Sequence, residues 1–221
     1  MRISKEKAAE NRTALIRAAS KLFRERGIDG VGVAEISKEA GLTHGALYAH
    51  FKSKEELALE ALSYGLEQNN ARMYASTVGG MPDLAGFLDH YLSPESRDDY
   101  GNRCPIAASA SEIGRQDKAL SARFAEGYLV MARAFERQIA ENSPGSDALA
   151  RGMLVVAAMI GSVTVARGVA KANPVLSEQV LAAARRLLDE LMLSSGEGDG
   201  TGAAPPPLAG QHRRAGDNSN H

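Results

Sequence analysis

Apolar residues along this chain recur at intervals of three and four, the period of helices, and hardly anywhere at the interval of two that marks strands. Leu15, Ile16, Ala19, Leu22 and Phe23 form one stripe on a helix expected over residues 7–26 and ended by Gly27. Val33, Ile36 and Ala40 mark a short second helix after Gly32, and Gly41 supplies the left-handed stop expected at a helix end. Thr43 is placed to cap a third helix over 44–50. Ser53 caps a fourth that runs to about residue 75, with Glu56 three positions later in the spacing of a capping box. "GGMP" at 79–82 breaks the pattern before an amphipathic piece over 84–92, and the polar "SPESRDDYGNR" at 93–103 reads as a loop. Helical periodicity returns from Cys104 to about Arg115, from Ala119 to about Ala140, and over 147–171 and 175–193. The last two are split by Asn173-Pro174, which disfavours helix at the first residue and removes a donor at the second. The pattern predicts an all-α fold of about nine helices with no convincing strand. Residues 195–221 hold too few large apolar groups to offset chain entropy and are expected to be a disordered tail.

Composition adds a class and charge adds a partner. With 221 residues, 44% hydrophobic and 24% charged, the chain has the balance of a soluble globular protein with a real core. Its net charge of -1 hides an asymmetry, since residues 1–54 carry 11 Lys/Arg against 6 Asp/Glu and the remainder 15 against 21. A basic head on an acidic body suits a polyanion, although ordinary solvated helix faces produce such imbalances too. The single cysteine, Cys104, allows no internal disulfide and fits a reducing compartment. "MRISKEKAAENR" is charged where a signal peptide needs an apolar run, and the longest uncharged segment, Gly152–Ala166, falls short of the ~20 residues that a bilayer crossing requires. A cytoplasmic protein with no membrane partner, no metal and no cofactor is expected.

The two short helices joined through Gly41 fit a helix-turn-helix, whose second helix enters the DNA major groove. Leu47 and Phe51, four apart, share a face that can pack on Ile36. Thr43, His44, Gly45 and Ala46 then cluster at the end of the second helix that meets base edges, where small residues allow close approach. Tyr48 offers a hydroxyl to phosphate and a ring to apolar contact, while His50 and Lys54, near the next helix start, suit phosphate. The alternative, two surface histidines and a core tyrosine, leaves the basic head and the capped following helix without a purpose.

The stretch "ALIRAASKLFRERGIDGVGVAEISKEAGLTHGALYAHFKSKEEL", residues 14–57, resembles the DNA-binding domain of the TetR/AcrR family of bacterial transcriptional regulators. The matching features are the Phe before the Gly27 turn, Ile36, Ala40-Gly41, Gly45, Leu47-Tyr48, His50-Phe51 and Lys52 to Leu57, about a quarter of the chain. The resemblance implies a head at 1–54 and an effector-binding and dimerisation body at 55–194. It also implies a homodimer on a palindromic double-stranded operator, most simply a repressor released by a small effector. One departure stands out. The family usually has Thr or Ser near positions 31 and 32, capping the first motif helix and touching phosphate, where this chain has Val31 and Gly32. Only the Gly32 backbone amide is left for that contact.

In the body, the resemblance places the last two helices in the dimer interface, with Val156, Ile160, Leu181, Ala184, Leu187 and Leu188 as candidates, although core packing explains the same stripes. Phe87, Tyr91, Phe124, Tyr128 and Met131, with Met73 and Phe135, have the chemistry of an apolar effector pocket and equally of a core. Cys104 precedes Pro105, a favoured first helical residue, so its thiol is expected at a helix N-cap where the dipole and Arg103 would favour thiolate. Some relatives with a cysteine at a similar place respond to oxidants or electrophiles; a small buried hydrophobe is the other reading of Cys104. A thiol enzyme using Cys104, with His90 as base and Glu112 as orienter, is the rival from another class, and it lacks a Gly-rich oxyanion element. A constitutive DNA binder with no effector is the remaining alternative.

Overall fold

Seven of the ten α-helices among the described residues start on a Ser, Asp or Asn whose side chain accepts a backbone N–H, and these local signals set their boundaries. A computed structural model describes residues 4–144 and 147–193; the tail expected at 195–221 lies outside the described residues. Ser4 caps α1 (Lys5–Arg26), which ends on Gly27 at a φ of 79°. α2 (Val33–Glu39) and α3 (His44–Tyr48) follow, joined through Gly41 at a φ of 68°. Ser53 caps α4 (Lys54–Met73) by accepting from Glu56 N at 3.2 Å. Glu56 reaches back to Lys52 N at 2.7 Å, one residue before the cap.

The all-α expectation holds, and the one piece of extended pairing among the described residues is minimal: Gly79 and Gly80, both at positive φ, turn a two-residue ladder of β1 (Thr77–Val78) and β2 (Met81–Pro82), antiparallel with Val78 opposite Met81. α5 (Leu84–Tyr91) is next. The segment 93–103 is not a loop. Ser93 accepts from Ser96 N and Pro94 takes the first helical position, so α6 (Pro94–Asp98) forms, followed by a 3-10 turn at Tyr100–Asn102. The expected helix from Cys104 to Arg115 is α7 (Pro105–Ser109) and a separate 3-10 turn, Ile113–Arg115. α8 (Lys118–Asn142), α9 (Ala148–Ala170) and α10 (Pro174–Leu193) complete ten α-helices among the described residues, against the nine expected.

One continuous apolar core runs from head to body. In the head, Leu15, Leu22, Ile36, Leu47 and Phe51 bring α1, α2 and α3 together, and α4 joins them through Leu57 and the bond from Ser20 Oγ to Ala61 O, 2.9 Å. In the body, α9 packs between α8 and α10. Gly152 sits where α9 crosses α8 so closely that a Cβ there would lie 2.5 Å from Ala132 O. At 23 residues α9 is longer than its uncharged segment suggested and is apolar enough, by length and composition alone, to cross a bilayer. Ser177, fully buried, donates to Ala166 O and accepts from Arg97, tying the α9–α10 corner to α6.

Candidate nucleic-acid interface

α3 is held by one residue and presents the others. Leu47 is 0% exposed in the core, whereas Thr43, His44 and Gly45 are exposed and Tyr48 is 53% exposed, an unusual position for an aromatic ring. Ala46 is half-buried. The His44 and Tyr48 rings, one helical turn apart, meet edge to face with centroids 5.3 Å apart, which restricts the rotamers of both. Thr43 occupies the N-cap position of α3, but its side chain makes no capping bond, contrary to the expectation. Its hydroxyl therefore points to neither of the helix amides it was expected to satisfy.

The helix is shorter than expected, five residues ending at Tyr48. His50 lies beyond it, half-buried in the turn that leads to Phe51, its N–H donated to Leu47 O at 2.9 Å. Lys54, half-buried, opens α4, the end of a helix where the dipole favours anions. Ion pairs divide the head's cations into two sets: Lys7, Arg12, Lys21 and Arg26 hold Glu10, Glu60, Glu39 and Glu35. Lys38, Lys52 and Lys54 pair with no carboxylate among the described residues. Lys38 and Lys52, both exposed, were not singled out by the sequence reading; their position beside the turn and the α4 cap is the signal that could have found them.

Residues 15–61 match the model of the bacterial regulatory proteins of the tetR family. Over 155 residues the chain is 27% identical to the HTH-type transcriptional regulator LmrA of Bacillus subtilis, which covers 68% of this chain and 82% of that protein. A tetR transcriptional regulator from Chloroflexus aurantiacus superposes with a TM-score of 0.70 at 26% identity, over 86% of this chain and 98% of that one. The head is thus of the tetR type, and the whole chain resembles regulators of that family in fold. Other relatives align over a shorter stretch: TtgR of Pseudomonas putida is 40% identical over 32% of this chain and 33% of its own length. The regulator YerO of B. subtilis is matched over only 26% of its length. These relatives are transcriptional regulators, not enzymes, and the surroundings of Cys104 agree with that. His90 contacts the Arg103 guanidinium, and Glu112 accepts from Asp29 N at 3.1 Å, so neither serves Cys104 as base or orienter.

The family's cap position explains itself here in two halves. Val31 is 1% exposed and fills the core under α1, where a hydroxyl would be buried. Gly32 is the N-cap of α2 at φ -85° and ψ 149°, a conformation open to any residue, and a Cβ added there would meet nothing within 4 Å.

In the body the sequence-derived sets come apart. Phe87, Tyr91 and Cys104 are together: the two rings lie 5.8 Å apart, and the fully buried Tyr91 hydroxyl has the Cys104 thiol as its polar neighbour. Burial, and after it the thiol, pushes that hydroxyl well above the ordinary phenol value. Phe124, Tyr128 and Met131 are elsewhere, on α8. Met131 is fully buried and accepts from Asn69 Nδ2, while the Tyr128 hydroxyl donates to Met153 O at 2.7 Å. Cys104 is at an N-cap as expected, 4% exposed, but α7 has only five residues and Arg103 is engaged by Asp99 and His90.

The dimer candidates separate as well. Val156, Ile160, Leu181 and Leu188 are buried inside one chain and Ala184 is half-buried; only Leu187, 51% exposed, faces out. The outward stripes are instead Leu154, Ala157, Gly161, Val165 and Gly168 on α9, and Leu176, Ala183 and Leu187 on α10. The α9 residues are spaced three and four apart and the α10 residues seven and four, so each set keeps to one helix face, and none of them is charged.

Proposed function

We propose that the chain is a homodimeric, sequence-specific DNA-binding regulator of transcription, a repressor released from a palindromic operator by a small effector in the cytoplasm. Residues 1–54 are the DNA-binding head and 55–194 the effector-binding and dimerisation body. The observation that carries the reading is α3: Leu47 anchors it while Thr43, His44, Gly45 and Tyr48 stand outward, beside the unpaired Lys52 and Lys54. His44 and the small Gly45 and Ala46 read base edges; Thr43, Tyr48, His50, Lys54 and the Gly32 amide hold phosphates. Two copies meet through the outward stripes of α9 and α10, where Gly161 and Gly168 let backbones approach, so the two recognition helices are held at a fixed spacing. Those uncharged stripes on a soluble chain are a protein-facing surface.

The effector site is the cluster of Phe87, Tyr91 and Cys104, because a buried hydroxyl with only a thiol, a weak partner, beside it is a polar group that a ligand atom or a modified sulfur would satisfy better. Gel-shift titrations at several salt concentrations test the DNA reading. Lys54→Ala should lower the slope of log affinity against log salt by about one, Tyr48→Ala should weaken binding to all sequences, and His44→Ala should change base preference at a cost of ~1–3 kcal/mol. Unchanged slopes and unchanged preference would refute it.

A further inference from the structure

Along α1, Arg17, Lys21 and Arg24 follow one another at helical spacing, and along α4 so do Tyr64, Gln68 and Arg72. The two rows face each other across an open groove of about 420 Å³, completed by Ala40 and Asn102. Its charge is one-sided. Four cations line it against one carboxylate, Glu39, which Lys21 already neutralises at 2.7 Å. Arg17, Arg24 and Arg72 hold no carboxylate among the described residues.

Arg24 and Arg72 instead donate to main-chain carbonyls, Gly101 O at 2.7 Å and Asn102 O at 2.5 Å. One terminal nitrogen of Arg24 is buried against Gly65, outside the groove, so the groove meets only the rest of this guanidinium. A carbonyl dipole offsets only part of a guanidinium charge, and half-buried cations are ordinarily paired. Burial, and next the repulsion from Arg72, lowers Arg24 to about 10. Burial and Arg103 lower Arg72 in the same way. The groove is thus a place where positive charge is crowded at some cost, and an anion would relieve it.

We propose that this groove binds a small oxyanion, through a carboxylate or phosphate group held between Arg17 and Arg24 of α1 and Arg72 of α4. Guanidinium groups match both headgroups with paired N–H donors. Tyr64 and Gln68, in line with Arg72, offer neutral hydrogen-bonding groups to the rest of the molecule. No residue of α3 lines the groove, so this site is separate from the proposed DNA surface.

The test uses the full-length, DNA-free protein, so it stands apart from the DNA-binding reading. Calorimetric titration and thermal melting are run with sodium phosphate and with sodium succinate, against sodium chloride at equal ionic strength. Saturable binding beyond chloride is expected, and the two arms tell which headgroup is preferred. Arg17→Gln and Arg72→Gln should each weaken it about tenfold or more, whereas Arg186→Gln, away from the groove, should not. Arg17 is exposed and holds no carboxylate among the described residues, so its substitution leaves the fold intact even if that of Arg72 does not. Failure of both anions to bind beyond chloride, or wild-type binding by Arg17→Gln, overturns the proposal.

Discussion

Leu187 and Leu188 are neighbours with opposite fates, and replacing each would separate the subunit core from the proposed interface. Leu187 is 51% exposed and Leu188 4%. Fully burying a leucine is worth ~1.5–3 kcal/mol, so about half of that, ~1 kcal/mol per copy, remains for Leu187 to gain when a second chain covers it. A two-fold interface counts each residue twice, so truncation would remove ~2 kcal/mol. Leu187→Asp does more, because two carboxylates must also be desolvated, at several kcal/mol each if fully buried. Even with water admitted to the rim, a loss of at least ~4 kcal/mol follows, about a thousandfold in the dimer dissociation constant. The helical signal and melting of the monomer should hardly change, since surface substitutions usually stay within ~0.5 kcal/mol. Leu188→Ala should do the reverse, costing ~2–5 kcal/mol of folding stability with dimerisation kept in whatever fraction remains folded. Sedimentation equilibrium at micromolar concentration reads the first quantity and denaturant titration the second. A Leu187→Asp protein that sediments as a dimer with wild-type affinity would refute the assignment of this face.

Gly152→Ala should destabilise the fold by ~1–3 kcal/mol in denaturant titration despite a better helix former, because its Cβ would meet the main chain at Ala132 O, 2.5 Å away, which cannot swing aside. Gly32→Thr should raise stability by a few tenths of a kcal/mol and tighten operator binding in gel shifts, since the N-cap of α2 has room and the right backbone for a hydroxyl. Cys104→Ser should keep operator binding but abolish any release by peroxide, quinone or maleimide; equal release of both proteins would make the thiol structural and the inducer a reversible ligand.

The helix-turn-helix was legible because its signals are local. Gly27 and Gly41 take the positive φ that ends a helix, Ser53 caps α4, and Leu47 and Phe51 fall on one face by spacing alone. Each of these depends on residues within one or two turns. Segment 93–103 misled because its composition is polar, yet its polarity is what folds it: Ser93 caps α6, and Arg24 and Arg167 bind the carbonyls of Gly101 and Arg97 from 70 or more positions away. The pocket set divided for a similar reason, since aromatic and Met residues look alike until α5 is seen to carry two of them to Cys104 and α8 to turn Met131 toward Asn69. The last two helices make the point most clearly. α9 is apolar around most of its circumference, so its sequence determined that it would be buried but not on which side its own chain would lie. Only the packing of α8 and α10 decided that Val156, Ile160, Leu181 and Leu188 go inward and left Leu154, Gly161, Val165 and Leu187 outside. Periodicity is set by the geometry of one helix, whereas the choice of partner for each face is a competition among distant segments for the same apolar surface.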